Sequence, residues 1–260
     1  MNPKYSICVT HYNNAPTLRQ SLDGVLNQID DRFEVIIVDN LSSDGSANIL
    51  QDYSSRKKIT LIRRRCSRGM ARQTAFENSN GDYVIANLDM DDVVRPSLVE
   101  LLDTYHSQCD GHLLWVRSID SRGCWGGENF TIAPRGLLTR VGGWRDLQFG
   151  EDWELVRRVA RVGAYRWCYF QLLEQVNSHP ERKTLVGRIM FRYARYRDLL
   201  RCGRPVFETE SHISITQRVP LLLAKLSMPF YESYGSCGES VFEPYSREYF
   251  IDFGERPAQH

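Results

Sequence analysis

The strongest constraint on the fold is an alternation of short β-prone apolar runs with segments of helical spacing through the first 116 residues. Tyr5 to Thr10 is a first strand-like run. Leu18, Leu22, Val25, Leu26 and Ile29 then recur on one helical face. Phe33 to Val38 is almost continuously apolar, as a strand covered on both faces should be. Asp44 is placed to cap a second helix that turns Ala47, Leu50 and Tyr53 inward. Ile59 to Ile62 reads as a third strand, Gly69 to Asn78 as a third helix, and Asp82 to Leu88 as a fourth strand. A helix marked by Leu98, Leu101, Leu102 and Tyr105 comes next, then a strand from Leu113 to Val116. This rhythm predicts an α/β fold with a mostly parallel sheet flanked by helices. Ligands of such sheets bind beyond the carboxyl ends of the strands. Thr10-His11-Tyr12, Asp39-Asn40 and Asp89-Met90-Asp91-Asp92 each follow a strand directly.

Beyond Asp120 the pattern changes. Residues 121–150 are rich in glycine and tryptophan, and suggest loops and short strands around a pocket. Helical spacing returns from Glu151 to Val162. Residues 182–202 read as a basic amphipathic helix with Leu185, Ile189, Tyr193, Tyr196 and Leu200 inward, and an apolar stretch runs from Val219 to Met228. The expected organisation is a catalytic domain over residues 1–182 and a small helical C-terminal extension with a tail over 183–260.

Bulk properties narrow the function. The formal charge of +1 supplies no overall field for nucleic acid. No run reaches the roughly 18 apolar residues of a membrane span, and the N-terminus lacks the apolar core of a secretory signal. The seven cysteines include no C-x-x-C pair, so reduced thiols and a cytoplasmic setting are expected.

Three acidic clusters carry the chemical signal. Asp89, Asp91 and Asp92 crowd one strand end, and like charges at such spacing repel unless a cation or strong donors sit among them. Oxygen ligands suit Mg²⁺ or Mn²⁺. Glu151 and Asp152 open a helix, where carboxylates also serve as dipole complements. Asp39 ends the Val-Ile-Ile-Val run, as a cap or a ligand contact.

Five ordered blocks together resemble family-2 glycosyltransferases of the GT-A (Rossmann-like) fold, over roughly Tyr5 to His179. They are Ser6 to Asn14, Val35 to Ser46, Arg68 to Ala75, Gly81 to Pro96, and Gly142-Gly143-Trp144 leading to Gly150-Glu-Asp-Trp-Glu-Leu155. The resemblance implies that Thr10 and Tyr12 begin a nucleotide pocket and that Asp39 accepts from the base. Arg72, with Arg68 and Gly69, would lie near the diphosphate. Asp89 would hold the ribose or a metal-bound water, Asp91 would ligate the metal, and His179 falls where some members place a further metal ligand. Asp152 matches the catalytic base, with Glu151 as its neighbour, and Trp125 or Trp144 would line the acceptor side. The family more often has two acidic residues where Asp39-Asn40 stands, and an asparagine in place of Gln73.

The activity implied is inverting transfer of a sugar from a nucleoside-diphosphate sugar, UDP-sugars being favoured, to a glycan or lipid-linked acceptor. The basic helix adds an expected peripheral membrane contact. A nucleotide-sugar pyrophosphorylase would carry a glycine-rich loop after its first strand, where this chain has Thr-His-Tyr-Asn-Asn. A non-catalytic sugar-binding module could use the tryptophans but has no need of Asp89, Asp91 and Asp152 together.

Overall fold

The computed structural model describes residues 4–90, 92–119, 125–170, 173–175, 184–203, 215–234 and 245–253. Side chains are described throughout these except at 92, 118–119, 125–129, 173–175 and 215–218. The expected metal ligands Asp91 and His179, and the side chain of Trp125, lie outside the described residues.

Strands β1 (Tyr5–His11), β2 (Phe33–Asp39), β3 (Thr60–Arg63) and β4 (Tyr83–Leu88) pair in parallel in the order β3-β2-β1-β4. The seven-stranded sheet continues through β7 (Trp125–Pro134), β6 (Leu113–Ile119) and β8 (Tyr165–Tyr169). Within it β7 alone runs against its neighbours, pairing antiparallel with both β4 and β6, while β6 and β8 are parallel. The mostly parallel sheet is as the alternation required. Residues 121–150 are more regular than expected, because β7 is a ten-residue strand inside the sheet and not a fragment of its rim. Its glycines hid it, since they weaken the periodicity that marks a strand. A separate antiparallel pair joins β5 (Asp92–Val94) to β9 (Leu173–Gln175).

Strand side chains alternate between faces, and the sheet therefore divides the core in two. Ile7, Val9, Val35 and Ile37 face one cluster, with Leu18 and Leu22 from α1 (Ala15–Leu26), Leu50 from α2 (Ser46–Ser55) and Leu101 from α4 (Leu98–Gln108). Cys8, Ile36, Val38 and Ala86 face the other, with Ala71 and Ala75 from α3 (Arg68–Glu77), Leu138 from α5 (Arg135–Val141) and Leu155 from α6 (Glu151–Arg161). Full burial of each Leu or Ile here contributes about 1.5–3 kcal/mol. The layers follow directly from the sequence pattern.

Helices α7 (Leu185–Arg201) and α8 (Ile215–Ser227) form the C-terminal part, packing Tyr196 and Leu199 on Leu221 and Ala224. The expected inward face of α7 is corrected at its start, where Leu185 is 65% exposed. Residues 245–253 return to the sheet. Ile251 donates its backbone N–H to the Trp167 carbonyl at 2.9 Å, and Trp167 donates its indole N–H to the Ser246 carbonyl at 2.8 Å.

Candidate active site

The ends of β1 and β4 open a cleft of about 240 Å³ lined by Thr10, His11, Tyr12, Asn40, Arg68, Asp89 and Gln148, among others. Its depth depends on a bulge. Ile7 pairs with Ile85 but Val9 with Leu88, so β4 carries one extra residue there, and Asn87 adopts φ +65°. A bulge bends its strand and re-aims the side chains beyond it. Here that side chain is Asp89, half-buried on the cleft wall. Thr17 and Ser21 of α1 donate their hydroxyls to the Met90 carbonyl at 2.8 and 2.9 Å, fixing the turn from behind.

At the end of β2, Asp39 is fully buried and lies beneath the cleft. Its carboxylate accepts from the Ser42 hydroxyl at 2.5 Å and from Arg63 Nε at 3.0 Å, while Asn40 takes the lining position. Asp44 serves two helices: it accepts from the Ala15 N–H at 2.8 Å and the Ser46 N–H at 3.1 Å. Sequence reasoning named Thr10 and Tyr12 and passed over the residue between them. His11 is 3% exposed, lines the cleft, and neither ring nitrogen meets a partner among the described residues. Burial lowers its pKa against the opposing pull of Asp39 and Asp44, so the ring is neutral at pH 7. Its signal in the sequence was only its place at a strand end.

Helix α3 supplies the cations. Ser67 caps it, accepting from the Met70 N–H at 3.2 Å. Arg68 is 43% exposed on the cleft and lies 3.8 Å from a Glu151 carboxylate oxygen. Arg72, one turn on, is 3% exposed and donates to both Glu151 and Asp152, the latter at 2.5 Å. Burial works to lower its pKa, but Asp152, Glu151 and Asp89 outweigh that and raise it. The guanidinium is therefore a permanent charge between the two acidic motifs.

Asp152 keeps 22% of its side chain exposed, and Glu151 only 2%. Burial raises both carboxyls above the ordinary carboxylate range. Arg72 and Arg68 pull each of them back down, and Asp89 adds to the rise at Asp152. Asp89, Arg72 and Asp152 thus feel one another's charge although they come from β4, α3 and α6. Helix α6 is braced at Glu154, which accepts from Arg158 at 2.8 and 2.7 Å, while Arg158 also donates to the Gly143 carbonyl at 2.6 Å.

Two of the expected residues prove to be packing devices. A Cβ on Gly69 would stand 2.0 Å from the Arg145 carbonyl oxygen, and the Gly69 N–H donates to Leu147 at 2.9 Å. Gly69 thus lets α3 press against residues 145–147. Trp144 is 4% exposed and meets Phe76 edge-on at 6.1 Å, inside the second core cluster. It belongs to the core, which corrects its expected place on the acceptor side. Gln73, where the sequence departs from the family pattern, accepts from the Trp144 N–H at 2.8 Å. The left-handed Gly142 and Gly143, at φ +82° and +59°, make that approach possible.

No group of three His, Cys, Asp or Glu among the described residues is arranged to hold a metal. Asp89 is the carboxylate on the cleft wall, and an oxygen donor beside an open cleft fits Mg²⁺ or Mn²⁺ bound chiefly through substrate phosphates and water.

The family model for glycosyl transferase family 2 matches residues 6–137, which hold the whole cleft side from β1 to the end of β7. The chain belongs to glycosyl transferase family 2. It is 27% identical over 233 residues to the Bacillus subtilis protein named "Probable glycosyltransferase YdaM", covering 74% of this chain and 55% of that one. The chain spans about half the length, or less, of the curated relatives it matches. Two solved glycosyltransferases share the GT-A fold. One is Staphylococcus aureus TarS residues 1–349 in complex with UDP-GlcNAc, with a TM-score of 0.61 at 15% identity over 85% of this chain and 79% of that one. The other is the mannosyltransferase PcManGT from Pyrobaculum calidifontis in complex with GDP-Man and Mn²⁺, with a TM-score of 0.57 at 20% identity, covering 88% and 70%.

Proposed function

We propose that this family-2 glycosyltransferase moves a sugar from a nucleoside-diphosphate donor, a UDP-sugar being favoured, to a hydroxyl of a glycan or lipid-linked glycan with inversion. The observation that carries this reading is the convergence of Asp89, Arg68, Arg72 and Asp152 on one cleft from three separate elements. Thr10, His11, Tyr12 and Asn40 take the nucleoside end, with Asp39 beneath them. The neutral imidazole of His11 offers one donor and one acceptor to a polar edge. Arg68, its exposed guanidinium free to turn toward the cleft, meets the diphosphate. Asp89 and Asp91 would hold Mn²⁺ or Mg²⁺, with His179 as a further ligand, and the cation supplies neutralisation of charge on the leaving diphosphate.

Asp152 takes the proton of the acceptor hydroxyl as its oxygen bonds to the anomeric carbon and the carbon–oxygen bond to the diphosphate breaks. Arg72 holds that carboxylate ionised and aimed, and Glu151 shares the guanidinium from the buried side. One base and no second carboxylate nucleophile support single displacement. Nucleotide-sugars tested by thermal shift with and without Mn²⁺ should identify the donor, since a ligand of the native state raises its melting point. Asp152→Asn should keep that shift and lose about 10²-fold or more in turnover. The acid limb of the wild-type rate profile should lie above the ordinary carboxylate range, in line with the raised Asp152 pKa. Undiminished turnover in Asp152→Asn would remove the base from this assignment.

A specific surface favours a meeting place at a lipid interface. Val219, Leu222, Leu223 and Leu226 are 55, 58, 47 and 64% exposed along one side of α8, opposite the buried Leu221 and Ala224. Phe230 comes next at 85% exposure. An apolar stripe of this kind marks an interaction surface, and Arg188 and Arg195 stand exposed on the neighbouring α7. The charge is smaller than the sequence suggested, because Arg197 and Arg201 are engaged with Asp198. No helix among the described residues is long and apolar enough to cross a membrane. Anionic liposomes should co-sediment the protein, less so in high salt, and Leu222→Ser with Leu226→Ser should release it. Equal recovery in the supernatant with and without vesicles would end the lipid reading.

A further inference from the structure

The segment joining the Gly-Gly-Trp turn to the catalytic helix is gripped from two sides. On the cleft side α3 holds it: the Ser67 hydroxyl donates to Asp146 at 2.6 Å, the Gly69 N–H to the Leu147 carbonyl at 2.9 Å, and the Arg68 N–H to the Gln148 side chain at 3.2 Å. On the far side stands Asp198 of α7, with 0% exposure. One of its carboxylate oxygens accepts the Gln148 and Phe149 N–H groups at 2.7 and 3.2 Å. The other accepts from Arg197 Nε at 2.8 Å and lies 3.5 Å from Arg201. Arg201, 6% exposed, also donates to the Asp146 carbonyl at 2.8 Å and to the Glu232 carbonyl at 2.9 Å. Next in the chain come Gly150, left-handed at φ +75°, and then Glu151 and Asp152.

We propose that Asp198 is a positioning residue for sugar transfer. Through the amides of Gln148 and Phe149 it fixes where α6 begins. It thereby sets Asp152 against Arg72, and Gln148 on the cleft wall. The inference rests on the reading of Asp152 as the base. A fully buried carboxylate persists only when its charge and lone pairs are satisfied. Here the donors that satisfy it are the backbone of the very segment that leads into the base and two arginines of its own helix. Substitution frees two amides and two guanidinium contacts at once, and the segment gains room to shift about Gly150. Displacements of about 1 Å in a reacting group cost on the order of 10²-fold in rate.

The test uses the full chain and the donor found in the nucleotide-sugar series. Asp198→Asn keeps an acceptor oxygen for the amides and loses the charge that holds the arginines. The expected result is a fall of at least about tenfold in kcat, with donor KM moving less than kcat. Amide hydrogen exchange over residues 146–156 should quicken while β1 to β4 stay protected, and Asp198→Ala should fall further than Asp198→Asn. A clamp serving stability alone would leave kcat unchanged in the folded protein, and that outcome overturns the proposal. Should Asp198→Asn fail to fold, Arg201→Gln reads the same network: a several-fold drop in kcat supports it and an unchanged kcat overturns it. Asp152→Asn is run alongside. If it keeps full turnover, the base assignment is what fails; if it is inactive while Asp198→Asn is not, only the positioning role fails.

Discussion

The two walls of the cleft are built by different physics. The wall from β1, β2 and β4 is held by sheet hydrogen bonds and apolar packing, and its reactive side chains sit at strand ends because the sheet stops there. The wall from α6 is held by buried charge: Arg72 on Glu151 and Asp152, Arg158 on Glu154, and Asp198 on the preceding amides. The first kind of wall tolerates small losses, since each contact is one of many. The second concentrates its stability in few groups, each of which leaves a charge stranded when its partner goes.

The largest break in that contrast should come from Arg72→Met. It leaves Glu151 buried without its cation and should cost about 3–5 kcal/mol in denaturant unfolding. A loss under about 1 kcal/mol would show that the α6 wall stands on packing, like its counterpart. Removing one methylene from the sheet wall sharpens the comparison from the other side. Ile36, with 0% exposure in the second core cluster, should lose only about 0.5–1.5 kcal/mol on Ile36→Val. A larger loss there would mean that the sheet wall too depends on single residues.

The same contrast explains what could be read in the sequence. Hydrophobic period located β1, α1, β2, α2, β3, α3, β4, α4 and the start of β6, because each carries its burial pattern in its own residues. The acidic motifs were legible as types. Their partners were not: that Arg72 meets Glu151 depends on two segments 79 residues apart. Asp198 lay hidden for the same reason, one acid among the arginines of a helix that read as a solvated basic face. Trp144 misled because a Gly-Gly-Trp turn looks alike whether its indole faces solvent or core. His11 escaped because a strand-end histidine has no period of its own to announce it.

The clamp by Asp198 also has a consequence in time. A chain emerges from the ribosome at about 5–20 residues per second, and Asp198 comes 46 residues after Asp152. For several seconds, then, the nascent chain holds β1 to β4, Arg68 and Asp89 without the contact that fixes the start of α6. A donor arriving during that interval finds a nucleotide site whose base is not yet set against Arg72. Tying the base to a later helix delays the capacity for chemistry until much of the polypeptide has been made, and so guards the donor against wasteful hydrolysis on unfinished chains.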